Sequence, residues 1–116
     1  MRSFILSKKY KFTIDKPKDF YIKELKGVFF RNRWCAITDG FLLVNHGYAW
    51  DGCTFAPDTH RTYLPSLVHD LLYQFQIVER ERADYVFFMM LKRAWFKYAT
   101  LYYVGVLIFG KKHYFC

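Results

Sequence analysis

The sequence predicts an α+β fold. Antiparallel β strands with a hairpin fill the N-terminal part, a structured loop follows, and three helices make up the C-terminal part, the first two antiparallel. Three observations predict this. As far as Val44 the apolar residues come in short β-favouring runs separated by turn residues. From His46 to Leu64 the periodicity disappears among glycines, a proline and aspartates. After Pro65 the apolar spacing becomes helical. The 116 residues read as one domain, with a β-rich part over 1–45, a loop over 46–64 and a helical part over 65–110.

Phe4-Ile5-Leu6 and Tyr10 to Ile14 are the first strand candidates. Pro17 interrupts, and Phe20 to Leu25 resumes. Val28-Phe29-Phe30 and Trp34 to Ile37 are further β-favouring runs. Thr38-Asp39-Gly40 marks a turn from which Phe41 to Val44 pairs back as a hairpin. The loop segment Gly47 to Asp58 is long for a small domain, and such loops often carry function. Pro65 suits the first turn of a helix running to about Gln76, and Ile77 to Arg80 form a bend. A second helix covers Arg82 to Tyr98, with Ala83, Val86, Phe87, Met90, Leu91, Ala94 and Trp95 at buried spacing. A third covers Ala99 to Phe109 and stops at Gly110.

Thirteen Phe and ten Tyr exceed what one small interior can hide, so some are expected to face a partner, a lipid surface or another subunit. The alternative is a bulky core rimmed by tyrosine. A net charge of +8 favours anionic partners: phospholipid headgroups, an acidic protein or nucleic acid. The basic residues are scattered and no nucleic-acid-binding module is visible. Cys35, Cys53 and Cys116 form neither a disulfide framework nor a zinc pair, which points to free thiols and to a reducing compartment or a fold that does not need bridges. The apolar stretch Met1 to Leu6 is too short for a secretory signal. Tyr98 to Phe109, the longest apolar run, is about half the length that spans a bilayer and reads as a buried or interfacial helix.

His69-Asp70, followed by Tyr73 and Asp84, is the chemically richest constellation. With the bend near Val78, His69 lies about 13 Å before it along one helix axis and Asp84 roughly 9 Å after it along the next. In an antiparallel pair the two side chains come level. Asp84 then accepts a hydrogen bond from one nitrogen of His69, fixing the tautomer and leaving the other nitrogen as a base. Tyr73 shares the His69 helix face, so its hydroxyl also reaches Asp84. Asp70 points about 100° away, toward the loop, where a carboxylate with loop carbonyls suits a hard cation, calcium best. A purely structural reading stands beside this one: Asp84 satisfies a buried His69 and Tyr73 between packed helices.

Gly47-Tyr48-x-x-Asp51-Gly52-x-Thr54-x-x-Pro57, His69-Asp70-x-x-Tyr73 and Arg82-Ala83-Asp84-x-x-Phe87 together resemble the phage and prophage family catalogued as domain of unknown function 1353. Tyr102-Tyr103-Val104-Gly105-Val106 and Phe109-Gly110 extend the match over about Phe41 to Gly110. The helical part also resembles phospholipase A2, above all its compact viral-capsid form, in which a calcium loop precedes a helix bearing His-Asp-x-x-Tyr. The resemblance implies that His69 activates a water, Asp84 orients it with help from Tyr73, and Asp70 binds calcium with carbonyls near Trp50, Gly52 and Thr54. A loop N–H near Gly52 would share stabilisation of the oxyanion. Two departures are visible: the glycine-rich loop is reduced to Gly47 and Gly52, and the interval from His69 to Asp84 is short.

The expected function is therefore a phage-encoded, calcium-dependent hydrolase of lipid acyl esters, working at an anionic membrane from the host cytoplasm or the virion, with no transmembrane helix. The alternative is a non-catalytic virion or tail component, or an inhibitor of a host protein, that keeps the scaffold. A His-Asp metal phosphohydrolase would need further helical histidines, whereas His46 and His60 fall in the loop and His113 in the tail. Exposure of His69 beside an open cleft discriminates enzyme from scaffold.

Overall fold

In the computed structural model of the chain, which describes residues 12–50 and 60–113, the β-rich half is organised around Asp39-Gly40. Thr38 and Phe41 stand directly opposite each other, and the two residues between them both have positive φ, 48° and 92°. This is the mirror-image turn whose twist matches that of the flanking strands. Asp39 tolerates the conformation and uses its Oδ1 to accept the Gly27 N–H at 2.7 Å. Gly40 is required twice over. A Cβ there would lie 2.6 Å from a ring carbon of Tyr21 and 3.0 Å from the Ile22 carbonyl oxygen.

The strands are β1 (Phe12–Thr13), β2 (Lys18–Tyr21), β3 (Phe29–Arg31), β4 (Cys35–Thr38), β5 (Phe41–Val44) and β6 (Ala49–Trp50). The β4–β5 hairpin is the centre of an antiparallel sheet of order β2-β5-β4-β3, while β1 pairs with β6 apart from it. Period-two alternation divides the four-stranded sheet. Cys35, Ile37, Leu42 and Val44 are buried on one face. Tyr21, Phe41, Thr38 and Phe29 cross the other face as one row, all exposed. An open cleft of about 420 Å³ runs along that exposed face, with Asp19, Tyr21, Phe41 and Leu43 among its lining residues.

The structure departs from the sequence reading at two places here. The strand expected over Phe20 to Leu25 stops at Tyr21, and Lys23–Leu25 form a 3-10 turn. Its i to i+3 bonds are local, from Leu25 N–H to Ile22 O and from Lys26 N–H to Lys23 O, and Gly27 at φ 82° closes it. The segment read as loop from His46 contains β6, whose partner Phe12–Thr13 is remote in sequence. The expected strand at Phe4-Ile5-Leu6 lies outside the described residues.

The chain divides after Trp50 into two compact units, and the second is helical. Its elements are α1 (Tyr63–Gln74), α2 (Arg80–Arg93) and α3 (Ala99–His113). α1 starts before Pro65, which still sits in the first turn, where its missing N–H costs nothing. Both α1 and α2 end in the same motif. Ile77 N–H reaches Leu72 O while Gln76 N–H reaches Tyr73 O; Phe96 N–H reaches Leu91 O while Trp95 N–H reaches Lys92 O. These are Schellman bonds, and they place Gln76 (φ 51°) and Trp95 (φ 58°) in the left-handed position usually given to glycine. The motif stops α2 at Arg93, short of the expected Tyr98, and leaves Trp95 exposed although its spacing read as buried. α3 runs through Gly110 instead of stopping there. One interior glycine costs about 1 kcal/mol relative to alanine, too little to end a helix without a competing cap.

Phe87, Leu91, Phe96, Ala99, Tyr102 and Val106 pack as the core between α2 and α3. Full burial of a side chain such as Phe87 contributes about 1.5–3 kcal/mol. The Phe96 ring meets Tyr102 edge-on, at 4.8 Å and 87°. No helix among the described residues is long and apolar enough to cross a membrane.

Candidate functional site

Every residue of α1 from Pro65 to Leu72 is buried, polar ones included. A helix covered on all sides must satisfy its polar side chains within the protein, and α2 supplies the partner for His69. α1 and α2 are joined by the short connection 75–79, which brings Asp84 level with His69. His69 Nε2 lies 2.7 Å from Asp84 Oδ1, and Tyr73 donates its hydroxyl to that same oxygen at 2.6 Å. The spacing of four residues stacks the His69 ring on Tyr73, with centroids 4.1 Å apart, and Phe87 closes another side at 5.0 Å. His69 and Asp84 are both 0 % exposed.

The hydrogen bonds fix the protonation pattern. A carboxylate only accepts, so in the bond to Asp84 the proton is assigned to Nε2 of His69. Burial pushes the Tyr73 phenol well above its ordinary value. The hydrogen bond to Asp84 and its negative charge push the same way, with Arg80 pulling more weakly in the opposite direction. Tyr73 is thus a standing donor that orients Asp84 and does not itself titrate near neutrality. Two charge-assisted bonds on one oxygen offset the cost of burying the carboxylate. Its other oxygen, Oδ2, has no hydrogen-bond partner among the described residues.

His69, Tyr73 and Asp84 are therefore brought together as the sequence spacing implied. Of the expected calcium ligands, Asp70 is buried on α1 and Trp50 ends β6, fully buried, in the other unit. Gly52 and Thr54 lie outside the described residues. Among the described residues no group of three or more His, Cys, Asp or Glu side chains is placed to hold a metal. His46 is exposed in the turn before β6 and His60 is exposed ahead of α1, so neither supports a His-Asp phosphohydrolase centre. Asp70 is a single buried carboxylate, and the Gly52 and Thr54 carbonyls expected to join it lie in the stretch outside the described residues.

Arg80 is the participant that sequence reasoning missed. It was placed in the bend, but it opens α2, acts on Tyr73 and donates from Nη2 to the Leu107 carbonyl at 2.6 Å. Its spacing of four from Asp84 carries a signal only once α2 is known to begin at Arg80. No protein-family model, curated protein or solved structure matches the chain.

Proposed function

We infer that the chain is a phage-encoded, phospholipase A2-like hydrolase of lipid acyl esters, related to the phage family it resembles, with His69 as general base. The observation that carries this reading is the convergence of His69 Nε2 and Tyr73 OH on one oxygen of Asp84. Nδ1 of His69 takes a proton from a water, and the water oxygen attacks the ester carbonyl carbon. Asp84 stabilises the imidazolium that forms, and Tyr73 keeps Asp84 in register. The proton then passes from Nδ1 to the leaving alkoxide as the acyl C–O bond breaks, giving a fatty acid and an alcohol. Calcium, held by Asp70 with loop carbonyls, would supply positive charge for the oxyanion.

The test is fatty-acid release from anionic phospholipid vesicles with calcium or with chelator. Wild-type protein releases fatty acid only with calcium, and His69→Ala lowers the rate about a hundredfold or more. Calcium-dependent release no greater than that of His69→Ala sinks the reading. One observation favours a second reading: by the criterion of exposure beside an open cleft His69 falls on the scaffold side, being 0 % exposed and flanked by Phe87. A non-catalytic virion or tail component, or an inhibitor of a host protein, would keep this cluster as a buried scaffold. Under that reading the protein releases no fatty acid, and His69→Ala only destabilises it.

A further inference from the structure

From Ala99 to Ile108 α3 is apolar on nearly every side, yet only one side of that span is buried. Ala99, Tyr102 and Val106 join the core with Phe87 and Leu91. Leu101, Val104, Leu107 and Ile108 are exposed on the other side, Leu101 at 66 % and Ile108 at 61 %. A surface helix of a globular protein carries polar residues there. At the head of this stripe stands Trp95, 85 % exposed. It occupies the left-handed position that closes α2, where glycine would be easier and where tryptophan adds nothing to the core.

The charges at the end of the stripe where α2 passes into α3 are of one sign. From Tyr85 to His113 the sequence contains no aspartate or glutamate. Lys92 and Arg93 are exposed at the end of α2, and Lys97 is exposed with its Nζ 5.2 Å from the Tyr98 ring. Lys111 and Lys112 follow in sequence. Glu79 and Glu81 stand at the other end of α2, where Arg80 between them reaches the Leu107 carbonyl, so acids and bases alternate at the far end of the stripe. An anionic partner complements the Lys92, Arg93 and Lys97 cluster beside Trp95 and Tyr98.

We propose that this side of α3 is the surface by which the protein docks on an anionic phospholipid bilayer. Leu101, Val104 and Ile108 enter the boundary of the acyl chains, and Trp95 and Tyr98 lie at headgroup level. Lys92, Arg93 and Lys97 face the phosphates. The inference deepens the lipid-hydrolase reading and rests on it for the identity of the bilayer as substrate, but docking and acyl release are measured separately.

The experiment is co-sedimentation of the full chain with phosphatidylcholine vesicles, with or without phosphatidylglycerol. Binding is expected to require phosphatidylglycerol and to weaken with salt. The variant Trp95→Ala/Leu101→Ser/Ile108→Ser is expected to bind at least about tenfold more weakly with an unchanged circular-dichroism melt. Phe29→Ser/Phe41→Ser, on the exposed sheet face, and His69→Ala bind as wild type. Binding by His69→Ala without acyl release from the wild type removes the hydrolase and supports the docking surface. Equal binding to neutral and anionic vesicles, or full binding by the folded triple variant, overturns the docking surface. So does a wild-type dimer that the triple variant abolishes, or capture of a polyglutamate peptide with no vesicle binding.

Discussion

Asp84 Oδ1 is where the chemistry of the helical unit concentrates, because it accepts from buried His69 and half-buried Tyr73 at once. Removing it strands both. Asp84→Ala is expected to cost about 3 kcal/mol, and Tyr73→Phe about half of that, in urea unfolding. A similar unfolding experiment reads Cys35. Burial on the inner face of the sheet raises its thiol from an ordinary 9.0 to about 12. The folded chain therefore holds its proton more tightly than the unfolded chain does. Stability is intact below pH 9.0 and falls as pH rises through about 12, with a slope of about 1.4 kcal/mol per pH unit from this group. Tyr73 shifts in the same direction, so Cys35→Ala is expected to make the alkaline decline shallower without abolishing it. At this scale the sequence was informative for side chains that repeat at helical spacing. His69, Tyr73 and Asp84 could be placed by counting turns. Arg80 could not, because its role depends on where α2 begins. Carbonyl ligands leave no trace in residue identity at all.

At the scale of elements, turn chemistry separates what was readable from what was not. Asp39-Gly40 announces its hairpin because both residues suit positive φ. The ends of α1 and α2 carry no such announcement, since Gln76 and Trp95 stand where glycine would signal a stop. The two sites give opposite predictions. Gly40→Ala drives a Cβ into Tyr21 and the Ile22 carbonyl, and is expected to lower stability by about 2 kcal/mol. Gln76→Gly relieves a left-handed side chain at an exposed position, and is expected to raise stability by about 1 kcal/mol. Thermal melts of the two variants check the pair of signs. β6 was missed for a different reason. A two-residue strand has no period of its own, and its partner lies far back in the chain.

At the scale of the whole molecule, the α+β order and the three helices follow from the change of hydrophobic period along the chain. What composition left open was where the excess aromatic and apolar side chains go. Among the described residues they gather mainly on the outer face of the sheet, with Phe29 and Phe41, and along α3 and the connection before it, with Trp95, Leu101 and Ile108, while Tyr85 is exposed on α2. The net charge of +8 does not choose between those faces. The acid-free stretch around α3 does.

The unused oxygen of Asp84 allows one atom to separate the two functional readings. Both donors reach Oδ1 and none among the described residues reaches Oδ2. Asp84→Asn is therefore nearly isosteric, and with the amide oxygen in the place of Oδ1 His69 and Tyr73 keep their acceptor. Only the negative charge is deleted. Stability is expected to stay within about 1 kcal/mol of wild type in urea unfolding. Acyl release is expected to fall about a hundredfold, since the imidazolium loses its counter-charge. A scaffold would not register the exchange of oxygen for nitrogen; a catalyst would.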